Sequence, residues 1–534
     1  MPSALVHGLG ALTTSILCII IYRLSLHPLA KLPGPKLAGV STLWLAWHVR
    51  KGRNHIFMPE LHKKYGPIVR IAPNQVLVCS EDAIRQAYGA GSPFTKGQWY
   101  QVCAAPDSRR KGENRFDLLT ETNMNRYKHQ RRAIGPAYSI KGMEKHEALL
   151  DSYITHFIST LHSLNEEFVD LSEWMHIFAL DALATVTLSK SVDYTSKRND
   201  DGNMSASDKH WAYFTVVGLF PWLVELTQSI PKIGMYLMMP IALAFGLPIP
   251  TGLPIFKFAV PNVLDRLSKL DSTAGIKPPA DRPGLVTSVR DTQEGQEVDE
   301  DPPGEEKDLL ASLMKLHADK EARFHPAWVL GISLTNFGAG HDTTTITLTS
   351  CVWNIAKHAE VQKRLQREFQ EKRITRESSY TDIVGEVPYL WAVMKESMRL
   401  FPAIGFMMPR VVPKDGAKVA GRYLPAGTTI GVSLYATHSD SSMFPNPKKF
   451  LPERWLSDGT KEKKREIGRL DACWMGFGGG SRSCPGQYLA RFLVVHLLAR
   501  LVLEFDMQVK GSPVLKGWFS VHLHGVDVSF RPRV

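Results

Sequence analysis

Residues 474–488 read Trp-Met-Gly-Phe-Gly-Gly-Gly-Ser-Arg-Ser-Cys-Pro-Gly-Gln-Tyr, and no other stretch restricts the fold so strongly. A glycine-rich loop ends on Cys484, just before a helix-compatible run from Pro485 to about Glu504. A cysteine there meets unpaired N–H groups and the positive end of a helix, which together stabilise a thiolate. The glycines let the backbone lie flat against a bulky planar partner. Arg482 offers a guanidinium to a carboxylate. Pro485 has no N–H, so amide hydrogen bonds to the sulfur must come from Gly486 and Gln487. Other readings of the glycines fail. G-x-G-x-x-G is not completed, because Ser481 and Ser483 hold the third-glycine positions. A phosphate loop lacks its Lys-Ser/Thr pair, and Ser483 spoils G-x-S-x-G around Ser481.

The other cysteines, Cys18, Cys79, Cys103, Cys351 and Cys473, are scattered without a C-x-x-C pair. That excludes a disulfide scaffold and fits a reducing compartment. The net charge of +12 points to an acidic partner: nucleic acid, an anionic membrane or an acidic protein. No zinc-finger spacing or basic-aromatic stripe supports nucleic acid.

Leu5 to Tyr22 carries no charged side chain. As a helix it rises roughly 27 Å, about the thickness of an endoplasmic-reticulum hydrocarbon core. Arg23, Lys31 and Lys36 follow it, nothing basic but the chain terminus precedes it, and no A-x-A pattern closes it. The run therefore reads as a single-pass anchor, with the body cytosolic. The expected layout is an anchor at 1–24, a proline-rich hinge at 25–40 built around Pro33-Gly34-Pro35, and one catalytic domain at 41–534.

Within that domain, Ile68 to Ala72 and Gln75 to Cys79 read as a hairpin around Pro73-Asn74. From about Asn125 to Phe337 the apolar spacing is helical. Ile230 to Pro261 is apolar but interrupted by prolines, which reads as a buried core loop or a lip dipping into the bilayer. Residues 272–306 read as a flexible surface loop. After Arg410 come short strands, then a loop region to about Phe477, and alternating strands from Phe505 to Phe530.

The cysteine loop resembles the F-x-x-G-x-R-x-C-x-G signature of the cytochrome P-450 superfamily at Phe477, Gly480, Arg482, Cys484 and Gly486. The resemblance implies a mainly α fold with small β-sheets (α+β). It implies a haem b cofactor (iron protoporphyrin IX) with Cys484 as the axial iron ligand, a thiolate that favours O–O cleavage. Phe477, Gly478 and Arg482 would flank the haem. Glu396 and Arg399 in the Leu390–Leu400 helix match the family's E-x-x-R, and Pro452-Glu453-Arg454-Trp455 its P-E-R-F-like element. The resemblance thus assigns Glu396, Arg399 and Arg454 to a buried network bracing the loop, with Trp455 as a plain aromatic replacement.

Ala339-Gly340-His341-Asp342-Thr343-Thr344, in an apolar helix from about Trp328 to Lys357, matches A/G-G-x-D/E-T-T. There Asp342 and Thr343 would deliver protons during dioxygen activation. Thr343 can also bond back to a preceding carbonyl. His341 has no partner at metal-binding spacing and reads as an ordinary helix residue. Tyr127 to Arg131 resembles the W-x-x-x-R helix with Tyr127 for Trp. Arg131 would bind a haem propionate, with Arg132 its competitor, and Arg410 stands where another propionate ligand often lies.

From the early segments to the last strands the pattern is most similar to filamentous-fungal microsomal members, and among these to the pisatin demethylase-like group. The implied activity is an endoplasmic-reticulum monooxygenase. It would use dioxygen, with electrons from NADPH through a flavoprotein reductase, on a lipophilic small molecule such as a fungal secondary metabolite. Family position marks Trp99 to Cys103, Phe214 to Trp222, Ala403 to Met407 and Phe519 to His522 as pocket walls. Lys461, Lys463, Lys464 and Arg465 offer a basic docking face. The rivals are a haem-thiolate isomerase or dehydratase and a non-enzymatic haem-binding protein. The intact Asp342-Thr343 pair argues against both.

Overall fold

The apolar start of the chain forms α1, Pro2–Ile21, which runs on into a π turn at Tyr22–Leu26. In this computed structural model residues 2–103, 118–229, 236, 238, 240, 242–273, 308–319, 324 and 326–533 are described. Among them, Val6–Leu26 is the one stretch long and apolar enough to cross a membrane, and none of its most apolar window is buried against the body.

The hinge that follows is fastened to the body. Arg23 Nη1 donates to the Val40 carbonyl at 2.5 Å, and buried Arg70 donates Nη1 to the Arg23 carbonyl at 2.8 Å. The Arg70 amide donates to Pro33 O at 2.8 Å. The prolines therefore lie along β1, Ile68–Ala72. As expected, β1 turns at Pro73-Asn74 into antiparallel β2, Gln75–Val78, with Ile68 opposite Val78.

Three more short strands complete this sheet: β3, Thr95–Lys96; β5, Arg410–Val411; and β6, Thr429–Val432. Its order is β1-β2-β6-β5-β3. A second sheet joins β4, Val169–Asp170, to the long C-terminal hairpin of β7, Phe505–Gly517, and β8, Val521–Pro532.

The rest is mainly helical. The helices that position the site are α2, Thr42–Val49; α3, Met124–Ile134; α4, Leu171–Leu188; α5, Asn203–Val217; α6, Pro326–Lys357; and α7, Pro388–Leu400. They are followed by α8, Lys461–Cys473, and α9, Gln487–Glu504. Helix α6 is the central rod and packs on α4, α7, α9 and β8. Gly340 permits its closest approach to α4, because a Cβ there would lie 3.1 Å from Leu183 Cδ1.

Two expectations change. Residues 461–473, read as loop, form α8. Thr460 caps it by accepting from the Lys463 amide, and only Leu470 and Cys473 are buried. So narrow an apolar stripe in so charged a segment hides the helical period. The proline-broken 230–261 segment is helical over 242–245 and again from Ile255, with Leu243 and Ile249 exposed and Ala242, Leu247 and Leu253 buried. Residues 230–235 of it, and 274–306 of the expected flexible loop, lie outside the described residues.

Candidate active site

The loop is built so that Cys484 opens onto interior space. Its amide donates to Phe477 O at 2.7 Å, which folds 477–484 into a closed turn. Cys484 lies deep among protein atoms, yet its side chain remains accessible. Burial raises the thiol pKa, while the Gly486 amide and the charges of Arg131 and Lys96 oppose the rise. The Gly486 contact matches one of the two donors left by Pro485; α9 begins at the next residue.

The glycines divide their work. Gly479 and Gly480 let the loop press on the end of a neighbouring helix, since a Cβ on either would lie 2.7 Å from Tyr88 O. Gly478, at φ +73°, is uncrowded instead: a Cβ there would make ordinary contact with Arg482 O at 3.7 Å and Ser483 Cα at 3.8 Å. Gly479 and Gly480 thus serve packing, while Gly478 serves the backbone turn.

Above the loop, positive charge is buried without a counter-ion. Arg482 Nε, Nη1 and Nη2 have no hydrogen-bond partner among the described residues, and its guanidinium stacks 3.6 Å from the Tyr127 ring centroid. Burial, and then nearby Arg410 among the opposing charges, lowers its pKa. Buried Arg410 donates to its neighbour Pro409 O at 3.0 Å, lies over the Tyr88 ring, and hydrogen-bonds the Tyr100 side chain. Two desolvated guanidiniums without a protein carboxylate call for an anionic ligand. Arg131 is placed differently: its Nη1 donates to Ser483 O at 3.0 Å and its Nη2 to Cys484 O at 3.5 Å. It holds the loop backbone, while Arg132 faces solvent.

Behind the loop, Glu396 is fully buried. Oε1 accepts from Arg399 Nη2 at 2.8 Å, Arg454 Nε at 3.0 Å and the Leu451 amide at 3.0 Å. Oε2 accepts from Arg399 Nε at 2.9 Å and Trp455 Nε1 at 2.9 Å. Arg399 also donates to His438 O, Pro447 O and Lys449 O. Trp455 is therefore more than an aromatic replacement, because its indole N–H closes the network. Its ring meets Trp474, whose ring in turn meets Phe477, both edge-on at 6.3 and 6.0 Å. Trp474 Nε1 donates to Lys395 O at 3.1 Å. The network thus reaches the cysteine loop through these rings.

On α6, Thr343 Oγ1 donates to Ala339 O at 2.9 Å, and Ala339 is exposed although the surrounding helix is largely buried. Asp342 sits in a different place. Its carboxylate is caged among α4, α5 and β8: Oδ2 accepts from Trp211 Nε1 at 2.7 Å and from the Ser207 hydroxyl. Oδ1 lies 3.1 Å from His341 Nε2, 3.0 Å from His522 Nε2 and 3.9 Å from His176 Nε2. Burial disfavours the carboxylate, but His341 and His522 outweigh it and hold the pKa well below the usual range. His341 is thus no ordinary helix residue. Its partners His176 and His522 lie far away in sequence, beyond any local spacing rule.

The chain matches the cytochrome P-450 family over residues 33–234 and 288–518. The chain belongs to the cytochrome P-450 family. It is 34% identical to cytochrome P-450 monooxygenase sdnT of Sordaria araneosa, over 98% of this chain and 94% of that one. It is 28% identical to cytochrome P-450 monooxygenase gsfF of Penicillium aethiopicum, over 93% and 92%. Its fold is similar to that of the crystal structure of cytochrome P-450 CYP102L1, with a TM-score of 0.64 at 14% identity, covering 89% of this chain and 94% of that one.

As a fungal-type cytochrome P-450 oxidoreductase, the chain carries a haem-thiolate cofactor by family, and its own residues fit one. An accessible thiol lies deep among protein atoms. The unpaired Arg482 suits a carboxylate on the cofactor's rim. The expected pocket walls also come together. Trp99 stacks on Phe519 with centroids 4.7 Å apart and meets Phe406 at 5.5 Å. The Phe519 amide donates to Thr215 Oγ1 at 2.9 Å. Trp211, unmarked in the sequence, joins them 5.0 Å from Phe519 and carries the same cluster to Asp342.

Proposed function

We propose that this cytochrome P-450 is a membrane-anchored monooxygenase of a lipophilic small molecule, most consistent with a fungal secondary metabolite. The observation that carries the reading is an accessible Cys484 lying deep among protein atoms, with the guanidinium of Arg482 unpaired nearby. Haem b would be held by Cys484, with Arg482 and Arg410 available to its carboxylates, and would supply dioxygen activation and one-oxygen transfer. Overall, substrate, dioxygen, two electrons and two protons give oxygenated product and water.

The chain's own residues orient, exclude and transfer. Thr343 offers a hydroxyl on α6 and passes protons from it. Asp342 has its contacts in the cage behind the helix, so the part we propose for it is positioning: it fixes the turn that carries Thr343. Tyr127 and Arg131 hold Arg482 and the loop carbonyls in place. The Trp99, Phe406 and Phe519 cluster offers an apolar surface to substrate.

Electrons come from NADPH through a flavoprotein reductase. Lys461, Lys464 and Arg465, exposed on α8 before the cysteine loop, supply its docking charge. Anchoring is through Val6–Leu26 in the endoplasmic-reticulum membrane, with the body cytosolic. Exposed Leu43 and Trp47 on α2 and exposed Leu243 extend the apolar surface; Arg50 Nη1 joins these segments by donating to Phe245 O at 3.3 Å.

The test uses the full chain with reductase and NADPH. The reduced, carbon monoxide-bound protein should show the red-shifted Soret band of thiolate ligation, and Cys484→Ala should abolish it. Thr343→Ala should divert electrons to hydrogen peroxide, so that NADPH consumed per product rises several-fold. A band that survives Cys484→Ala, or coupling unchanged in Thr343→Ala, overturns the assignment of that residue.

A further inference from the structure

Asp342 is tied down through both oxygens. Oδ2 accepts from Trp211 Nε1 at 2.7 Å and from the Ser207 hydroxyl, both on α5. Oδ1 is held by ion pairs, to His341 Nε2 at 3.1 Å and His522 Nε2 at 3.0 Å. His341 precedes Asp342 on α6 and moves with it, so it fixes nothing relative to the surroundings. His176 Nε2 lies 3.9 Å off, and its Nδ1 is bonded to Asp200 Oδ2 at 2.9 Å. Burial, only partly offset by Asp200, lowers the His176 pKa. Among the described residues, His522 is therefore the charged tie that reaches Oδ1 from outside α6.

The placing of His522 requires it to be charged. The buried ring stands between two carboxylates: Nδ1 lies 2.6 Å from Asp208 Oδ1, and Nε2 faces Asp342 Oδ1. A neutral imidazole has one N–H, so one carboxylate would meet a ring lone pair. Only the imidazolium offers a proton to both. Lys516, opposite His522 in the β7–β8 register, completes the group with Nζ 3.0 Å from Asp208 Oδ2. Burial opposes the charge on His522, but Asp342 and Asp208 outweigh it and push the pKa up to about 10. Burial opposes the charge on His341 too, and Asp342 overcomes it. The charges then balance, with Asp200, Asp208 and Asp342 against His341, His522 and Lys516. His176, His210 and His524, the other imidazoles around this group, have pKa values lowered by burial and stay neutral.

The turn that these ties serve is soft. Gly338 and Gly340 weaken the helix there, and the Thr343 hydroxyl bonds back to Ala339 O at 2.9 Å, which loosens a helical turn. Side chains anchored at Asp342 therefore set where Thr343 sits. We propose that His522 is a positioning residue for dioxygen reduction: as an imidazolium bridging Asp208 of α5 to Asp342 of α6, it holds the turn that presents Thr343. This role rests on the reading of Thr343 as a proton donor given above. It makes the C-terminal hairpin, through its second strand, part of the oxygen-side machinery.

Dioxygen itself is the probe, with full-length haem protein, reductase and NADPH and no organic substrate. Two reactions compete. NADPH, a proton and dioxygen give NADP+ and hydrogen peroxide; two NADPH, two protons and dioxygen give two NADP+ and two waters. Poorer proton delivery raises the share of NADPH electrons recovered as peroxide, so Thr343→Ala should raise it. His522→Gln should also raise it, by roughly twofold or more, with the carbon monoxide band and haem content retained. His524→Ala should leave the share unchanged. In the unmodified protein the share should be flat through neutral pH and rise as His522 loses its proton at about pH 10. Asp208→Asn should move that rise down by about one pH unit or more, a shift that a merely structural role would not produce. If His522→Gln loses its haem, the pH profile of Asp208→Asn decides. An unchanged share in His522→Gln while Thr343→Ala raises it, or an unmoved profile in Asp208→Asn, overturns the proposal and leaves the role of Thr343 standing. An unchanged share in Thr343→Ala removes the reading of Thr343, and the role of His522 with it.

Discussion

Glu396 and Asp342 are both carboxylates buried in the centre of the protein, one behind the cysteine loop and one behind the oxygen-side helix. Around Glu396 every donor is aimed: five directed bonds reach its two oxygens, and Arg399 spends its remaining N–H groups on three carbonyls. Around Asp342, one oxygen accepts from Trp211 and Ser207 and the other faces three imidazoles, with His522 and His341 Nε2 at 3.0 and 3.1 Å and His176 Nε2 at 3.9 Å. A buried polar network is stable only when complete, because an unpaired polar group keeps its full desolvation penalty. In the first, protein atoms satisfy both Glu396 oxygens and leave Arg454 Nη2 without a partner among the described residues. The second relies on ion pairs to His341 and His522 instead of aimed donors on both oxygens.

The comparison can be broken most directly at Glu396. Glu396→Ala strands two buried guanidiniums and should cost about 3–5 kcal/mol, enough to lose most soluble haem protein; near-normal yield and Tm would show the network to be dispensable. Asp342→Asn should cost less, about 2 kcal/mol, since Trp211 and Ser207 can still donate to an amide oxygen. A loss matching that of Glu396→Ala would erase the contrast between the two sites. Trp455→Phe removes one N–H donor to Glu396 while keeping the ring, and should destabilise by about 1.5 kcal/mol in urea unfolding. An unchanged midpoint would return Trp455 to a plain aromatic. Gly478→Ala, with φ +73° but only ordinary contacts around the added Cβ, should cost about 1 kcal/mol from backbone strain alone. A much larger fall in Tm would mean that Gly478, like Gly480, is needed for packing.

Much of the fold was legible before any coordinates. The β1–β2 hairpin, the long α6, α7 with its Glu396–Arg399 pair, α9 and the C-terminal strands all lie where periodicity and turn residues put them. Helix α8 escaped because a charged helix with two buried residues has almost no apolar period. In the cysteine loop, sequence indicated that glycines were needed but not which served what. That division depends on Tyr88, which approaches from another part of the chain. Arg131 was expected on a propionate and is found on the loop carbonyls; Trp455 was expected to fill space and donates a hydrogen bond.

The sequence by itself determined the cysteine loop, the E-x-x-R pair and the Ala339–Thr344 turn. Their chemistry acts between residues within one loop or helix turn, so spacing along the chain is spacing in space. Only the tertiary structure decided the surroundings of Asp342. His176 comes from α4, Trp211 and Asp208 from α5, and His522 from β8, and no local periodicity records that these elements meet at α6. They meet because packing α4 and β8 on the central helix buries its apolar surface, and that burial carries three imidazoles to one carboxylate.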